Sequence, residues 1–205
     1  MRIPDRHALL VFAKVPELGI AKSRIAAKTG KGTAERIYGE LLEATAAIAE
    51  PFEYHVAYAG APEPRSLRGY FTGARSFFIQ SGRSLGDRLR NAFLHLFARG
   101  STSICALGCD CPFVTGEDIV EGLQRLSAGT QTVIGPARDG GYYLVGCRQD
   151  ALDIFSVRSW GTPLLTAETL SVIYKKNYSC RFLPTRRDID TIEDYRAWRG
   201  EGAGA

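Results

Sequence analysis

Asp110 is the residue of this sequence best placed to do chemistry. It lies in Leu107-Gly-Cys-Asp-Cys-Pro112, just past an apolar run, where an acid is costly unless it has a partner. A hard cation such as Mg2+ or Mn2+ takes carboxylate oxygen and keeps waters and substrate phosphates, so one or two protein acids can hold it. Locally there is one acid. Cys109 and Cys111, two apart with no histidine nearby, read as packing residues and not as a soft-metal pair. A second ligand must come from elsewhere, and Arg186-Arg-Asp-Ile-Asp-Thr-Ile-Glu-Asp194 offers Asp188 and Asp190. Structural readings stay open at both places: Asp110 as a cap of the turn toward Thr115, and Asp190 or Thr191 as the cap of the last helix.

Two further segments set charge among glycines and prolines. In Phe12-Ala-Lys-Val-Pro-Glu-Leu-Gly-Ile-Ala-Lys-Ser-Arg24, the cations Lys14, Lys22 and Arg24 leave a strand end, with Pro16 and Gly19 shaping the backbone. Three cations there could clamp a diphosphate, the arginine bidentately. A solvated basic loop is the plainer reading, and the Gly-Lys-Ser/Thr ending of a Walker motif is absent. In Gly135-Pro-Ala-Arg-Asp-Gly-Gly-Tyr-Tyr-Leu-Val-Gly146, Gly140 and Gly141 let the backbone turn sharply or approach another group closely, beside Arg138 and Asp139. An ordinary hairpin turn about Asp-Gly also fits this pattern.

These segments need strands to carry them. His7 to Ala13 is continuously apolar, as in a strand buried on both faces of a parallel sheet. A loop from Lys14 to Gly32 follows, then a helix over Thr33–Ala49 with Ile37, Leu41, Leu42 and Ala46 at helical spacing. Strands are predicted over Glu53–Ala59, Ser76–Gln80, Ser103–Leu107, Thr132–Ile134, Tyr142–Val145 and Cys180–Leu183. Helices are predicted up to Ala98 and Leu126, opened by Ser84 with Asp87 and by Thr115 with Asp118, then over Leu164–Lys175 and Ile192–Trp198. Strands alternating with helices imply an α/β three-layer sandwich, a mostly parallel twisted sheet with helices on both faces, whose ligands bind beyond the carboxyl ends of the strands. One domain over residues 1–200 and a disordered tail over 201–205 complete the reading.

Bulk composition narrows the function. With 45% hydrophobic and 23% charged residues the chain is ordinary globular protein. The net charge of +4, without a long basic run, argues against a nucleic-acid partner. Five cysteines in unpaired spacings suit a reducing, cytoplasmic setting, and the longest early apolar stretch is too short to span a membrane. Oligomeric state is open.

Taken together, these stretches resemble the DUF2064 glycosyltransferase-like proteins, also called selenodomain-associated transferase 1. The match runs in order through Phe12-Ala-Lys-x-Pro-x-x-Gly with Lys22-Ser-Arg24, Gln80 with Leu85-Gly-x-Arg88, Gly108-x-Asp-Cys-Pro112, Gly135 to Gly146, Phe155 with Ser159-Trp160, and Asp188-Ile-Asp-Thr-x-Glu-Asp194. Cys109 and Ser23 stand where the family usually has threonine, and Ile25 where it has leucine. The resemblance implies the GT-A, or nucleotide-diphospho-sugar transferase, fold, with a divalent metal held by Asp110 and completed by Asp190 or Asp188.

The expected function is therefore a metal-dependent transferase acting on a nucleotide-diphospho-sugar, its acceptor an unknown small molecule. Asp110 and Asp190 would hold Mg2+ or Mn2+, Lys14, Lys22 and Arg24 would place the phosphates, and Gly140 and Gly141 would open the gap that Asp139 faces. Asp139 would orient or deprotonate the acceptor, and Tyr142 and Trp160 could stack on sugar or base. Alternatives are nucleotidyl transfer from an NTP to a phosphorylated small molecule with release of pyrophosphate, and a nucleotide-binding module without turnover.

Overall fold

The computed structural model describes residues 7–16 and 21–201; of the expected tail at 201–205, Glu201 ends the last helix, and residues 202–205, like Gly19, lie outside the described residues. The apolar run forms β1 (His7–Lys14), flanked in parallel by β2 (Tyr54–Ala59) and β4 (Ser103–Gly108). With β3 (Ser76–Ile79), β5 (Thr132–Pro136), β6 (Tyr142–Arg148) and β7 (Cys180–Phe182) it makes a sheet of order β3-β2-β1-β4-β6-β5-β7. β6 pairs antiparallel with both neighbours, and the other pairings are parallel.

Alternation along β1 divides the core. Leu9 and Val11 join the layer of α2 (Lys31–Ala49), α3 (Arg65–Tyr70) and α5 (Gly116–Ser127) through Leu42, Leu67 and Ile119. Ala8 and Leu10 join the layer of α4 (Leu85–Phe97), a 3-10 segment (Gln149–Ser156) and α6 (Leu165–Lys175) through Phe93, Ile154 and Ile173. The sheet is thus covered on both faces, as expected. Both expected capping boxes form, Ser84 with Asp87 and Thr115 with Asp118.

Three short elements fall where no helix was expected: α1 (Ser23–Thr29), α3 and the 3-10 segment. Each is too short for a readable apolar period and is fixed by a few buried side chains: Ile25 in the first, Leu67 in the second, and Ala151, Leu152, Ile154 and Phe155 in the third. The last helix, α7 (Ile192–Glu201), closes a smaller cluster in which Ile189 and Ile192 meet Ile25, Ile37 and Leu41. That cluster seats the segment holding Asp188 and Asp190. Ile189 is fully buried, so Ile189→Ala is expected to cost about 3 kcal/mol of unfolding free energy in denaturant titration. No helix among the described residues is long and apolar enough to cross a membrane.

Candidate functional site

Chain order reverses at β1, whose neighbours are β2 on one side and β4 on the other, so a crevice opens beyond their carboxyl ends. Lys14 ends β1 and Asp110 follows β4, one on each lip. The Tyr38 hydroxyl receives the Lys14 N–H at 2.9 Å and donates to the Lys14 carbonyl at 3.1 Å, while the Gln80 amide donates to the Ala13 and Ala57 carbonyls at 3.1 and 3.0 Å. These two polar side chains from α2 and the end of β3 lock the floor of the cleft. Sequence reading assigned neither of them to the site.

The cleft has two lobes that share Phe12, Lys14 and Asp110. A polar lobe of ≈ 200 Å³ is lined by Lys14, Lys22, Arg24, Asp110 and Asp190, with Tyr38 behind. A more apolar lobe of ≈ 240 Å³ runs past Gln80, Arg88, Leu89, Tyr142 and Trp160. In it the indole Nε1 of Trp160 is buried without a hydrogen-bond partner and packs against Gly86, where a Cβ would meet it at 2.5 Å. The Glu168 carboxylate receives the backbone N–H groups of Arg158 and Ser159 at 3.0 and 2.7 Å and so fixes the Trp160 loop; the Ser159 hydroxyl first, then these two N–H groups, hold its pKa below the usual glutamate value.

Lys22 organises the polar lobe. Its side chain is 3% exposed, and its ammonium lies 2.5 Å from Asp110 Oδ1, 2.5 Å from the Ile189 carbonyl and 3.7 Å from Asp190 Oδ1. Its backbone sits in the left-handed region at φ 56°, a conformation that a non-glycine residue holds only against compensating contacts. The expected phosphate clamp is therefore two-part. Lys14 and Arg24 line the lobe, whereas Lys22 is committed to the acids beneath them. Arg24 in turn reaches Asp190 Oδ2 at 3.2 Å.

Neither Asp110 nor Asp190 is a helix cap. Thr115 and Asp118 cap α5, so Asp110 has no part in it. At α7 the Asp194 carboxylate receives the Thr191 N–H at 2.8 Å, and the Thr191 hydroxyl receives the Asp194 N–H at 3.1 Å, so Asp190 is not the cap. Asp110 and Asp190 keep side-chain exposures of 56% and 39%. The segments are tied together where Ile189 donates its N–H to the Asp110 carbonyl at 2.8 Å.

Asp188 stands on the inner side of this group. Its Oδ1 is buried and has no hydrogen-bond partner. Burial, then the charges of Asp110, Asp139 and Asp190, push its pKa up to about 7, with Lys22 opposing. The same carboxyl, after burial, pushes the Cys111 thiol up to about 12, so Cys111 is inert packing. Among the described residues no three His, Cys, Asp or Glu side chains already converge on one metal-sized point. The reason is visible: an ammonium stands between Asp110 and Asp190. What fits a hard cation is the donor chemistry, since the carboxylates repel one another and one buried oxygen is unpaired.

Asp139 lies in the β5–β6 hairpin. One of its oxygens receives the Gly141 N–H at 2.8 Å and braces the turn, and its charge is felt at Asp188. The hairpin reading of this segment thus holds alongside the proximity to the acids. Gly140, at φ 91°, makes its close approach within the chain: a Cβ there would meet the Pro163 carbonyl at 2.1 Å. The two glycines shape the loop that presents Asp139.

Known proteins share this fold. The model of the family described as an uncharacterized protein conserved in bacteria (DUF2064) matches residues 42–162, more than half of the chain. A structure from Desulfovibrio desulfuricans G20, provisionally assigned as a nucleotide-diphospho-sugar transferase, is 26% identical with TM-score 0.88, covering 98% of this chain and 89% of that one. A CMP:2-keto-3-deoxy-manno-octonic acid synthetase complexed with CTP shares the fold at 16% identity and TM-score 0.61, over 97% of this chain and 99% of that one. So does Rv0371C from Mycobacterium tuberculosis H37Rv in complex with manganese, at 16% identity and TM-score 0.56, over 94% and 97%. Among curated proteins none matches the sequence.

Proposed function

From the premise that this chain belongs to the DUF2064 family, we propose that it is a metal-dependent transferase acting on a nucleotide-diphospho-sugar and passing the sugar to a small-molecule acceptor. The observation that carries the reading is the polar lobe, where Lys14 and Arg24 face a carboxylate group steered by a buried Lys22. Asp110 and Asp188 would hold the divalent cation, Asp188 through its unpaired oxygen, with Asp190 as the outer acid. Bound there, Mg2+ or Mn2+ would neutralise charge on the departing nucleoside diphosphate. Lys14 and Arg24 hold the diphosphate in place, and the apolar lobe takes the sugar or base against Tyr142 and Trp160. Asp139, oriented by Gly141, receives the acceptor's hydroxyl proton as the bond from sugar to diphosphate breaks and the bond from acceptor oxygen to sugar forms.

Charge matching favours a second reading. Two cations in the lobe with a third behind them, plus a divalent metal, suit a triphosphate at least as well as a diphosphate, and the synthetase of the same fold binds CTP. In that case the nucleotidyl group moves and pyrophosphate leaves. Phosphorus NMR of reaction mixtures containing Mg2+ separates them. Nucleoside diphosphate formed from a nucleotide-sugar is the expected result. Pyrophosphate formed from an NTP selects the second reading, and no product from any donor, with binding intact, selects a module without turnover.

A further inference from the structure

A second cavity, of ≈ 210 Å³, is lined by Phe113, Arg138, Thr185, Arg186 and Arg187, none of which lines either lobe of the cleft. Its walls are two strand-end loops held side by side: Arg138 donates its N–H to the Arg186 carbonyl, and Arg186 donates its own to the Pro136 carbonyl, each at 3.0 Å. A parallel bridge pairs Ala137 with Arg186. In each loop an aspartate follows an arginine, Asp139 after Arg138 and Asp188 after Arg187. The acids belong to the group around Asp110, since Asp139 and Asp110 both raise the Asp188 pKa. The arginines belong to the cavity.

The cavity is rigid on one side and positive throughout. Arg186 spends two donors on Asp118, at 3.1 and 2.9 Å, and Asp118, 3% exposed, is itself held by the cap of α5. The remaining donors of its planar fork stay in one orientation. Arg187 lies over the Phe113 ring, its guanidinium carbon 5.4 Å from the centroid, and also acts on Asp194. Arg138 is exposed and forms no ion pair with the described acids. Three guanidiniums and a threonine hydroxyl, set against the Asp118 carboxylate that Arg186 pairs with and the Asp194 charge that Arg187 acts on, make a site for an oxyanion.

We propose that this cavity binds a phosphoryl or carboxylate group carried by the molecule that accepts the transferred group. The binding itself stands apart from the transferase reading; the word acceptor rests on it, through the adjacency of Arg138 to Asp139. Equilibrium dialysis with radiolabelled inorganic phosphate tests the site in wild type, in Arg138→Gln with Arg187→Gln, and in Lys14→Gln with Arg24→Gln. Wild type is expected to bind phosphate in two classes of site. The first pair of substitutions should weaken one class by about tenfold or more, and the second pair the other. The class that each pair leaves intact reports that its fold is intact. Unchanged binding in the Arg138 and Arg187 variant overturns the site. Competition by a panel of sugar phosphates and hydroxy acids identifies the source: displacement at concentrations about tenfold below those of inorganic phosphate is expected. A site that prefers free phosphate to every ester overturns the acceptor assignment. If the arginine class is present but no nucleotide binds in the cleft, the transferase reading fails and the oxyanion site stands.

Discussion

Asp188→Asn is expected to raise the melting temperature of the metal-free protein at pH 8 by about 6 °C or more, and to remove most of the further rise that Mn2+ gives wild type. The first effect follows from the pKa of about 7 in the folded state. Below about pH 4 this carboxyl is protonated whether the chain is folded or not, and it costs nothing. Between about 4 and 7 the unfolded chain releases the proton while the folded chain keeps it, so stability is lost with each step of rising pH. Above about 7 the whole penalty, on the order of 4 kcal/mol, remains. Asparagine removes the charge. A bound divalent cation relieves the same penalty in wild type, so metal affinity should fall below pH 7 as the proton competes. Melting curves from pH 4 to 8 with and without Mn2+ check both effects, and a wild-type stability that increases with pH through this window would contradict them.

Lys22→Met should move two quantities in opposite directions. Methionine fills the volume of a side chain that is 3% exposed, but no positive charge is left between Asp110 and Asp190. Mn2+ should bind more tightly, by about tenfold, because a competing cation is gone. Turnover of nucleotide-sugar should fall by about 10² to 10³, because the acids and the Ile189 carbonyl lose the group that sets their spacing. A purely structural lysine would weaken both together. Isothermal titration with Mn2+ and steady-state kinetics on the same preparation tell the two cases apart.

Stability of the region next to the site depends on Asp118. Its carboxylate closes the cap of α5 and holds Arg186 in a bidentate pair. Asp118→Ala should cost about 3 kcal/mol in denaturant titration, since one cap is lost and a half-buried guanidinium is left without its partner.

What the sequence made legible was whatever depends on near neighbours in the chain. The apolar run of β1 and the boxes at Ser84 and Thr115 are local signals, and each produced the element expected of it. Asp110 could be singled out because an acid after a buried strand is costly anywhere. Asp190 against Thr191 was undecidable, because either residue type caps a helix; the choice falls to Thr191 once Asp194 completes the box. Lys22 looked like its basic neighbours. Its burial depends on Asp110 and Ile189, which are distant in sequence. Gly140 was read as room for a close approach, but the partner, the Pro163 carbonyl, comes from a later loop. Tyr38 carried no local signal and Gln80 stood out only within the family motif, without a role, for their hydrogen bonds reach the ends of other strands.

The central claim is that a divalent cation and a nucleotide bind together at Asp110. Melting of wild type and Asp110→Asn, each with Mn2+ alone, with nucleotide-sugars or NTPs alone, and with both, tests it most directly. Beyond the rise that Mn2+ alone gives, the account predicts a large further shift in wild type only when metal and one class of nucleotide are both present, and loss of that further shift in the variant. An equal shift without metal, or one that survives in Asp110→Asn, would contradict it.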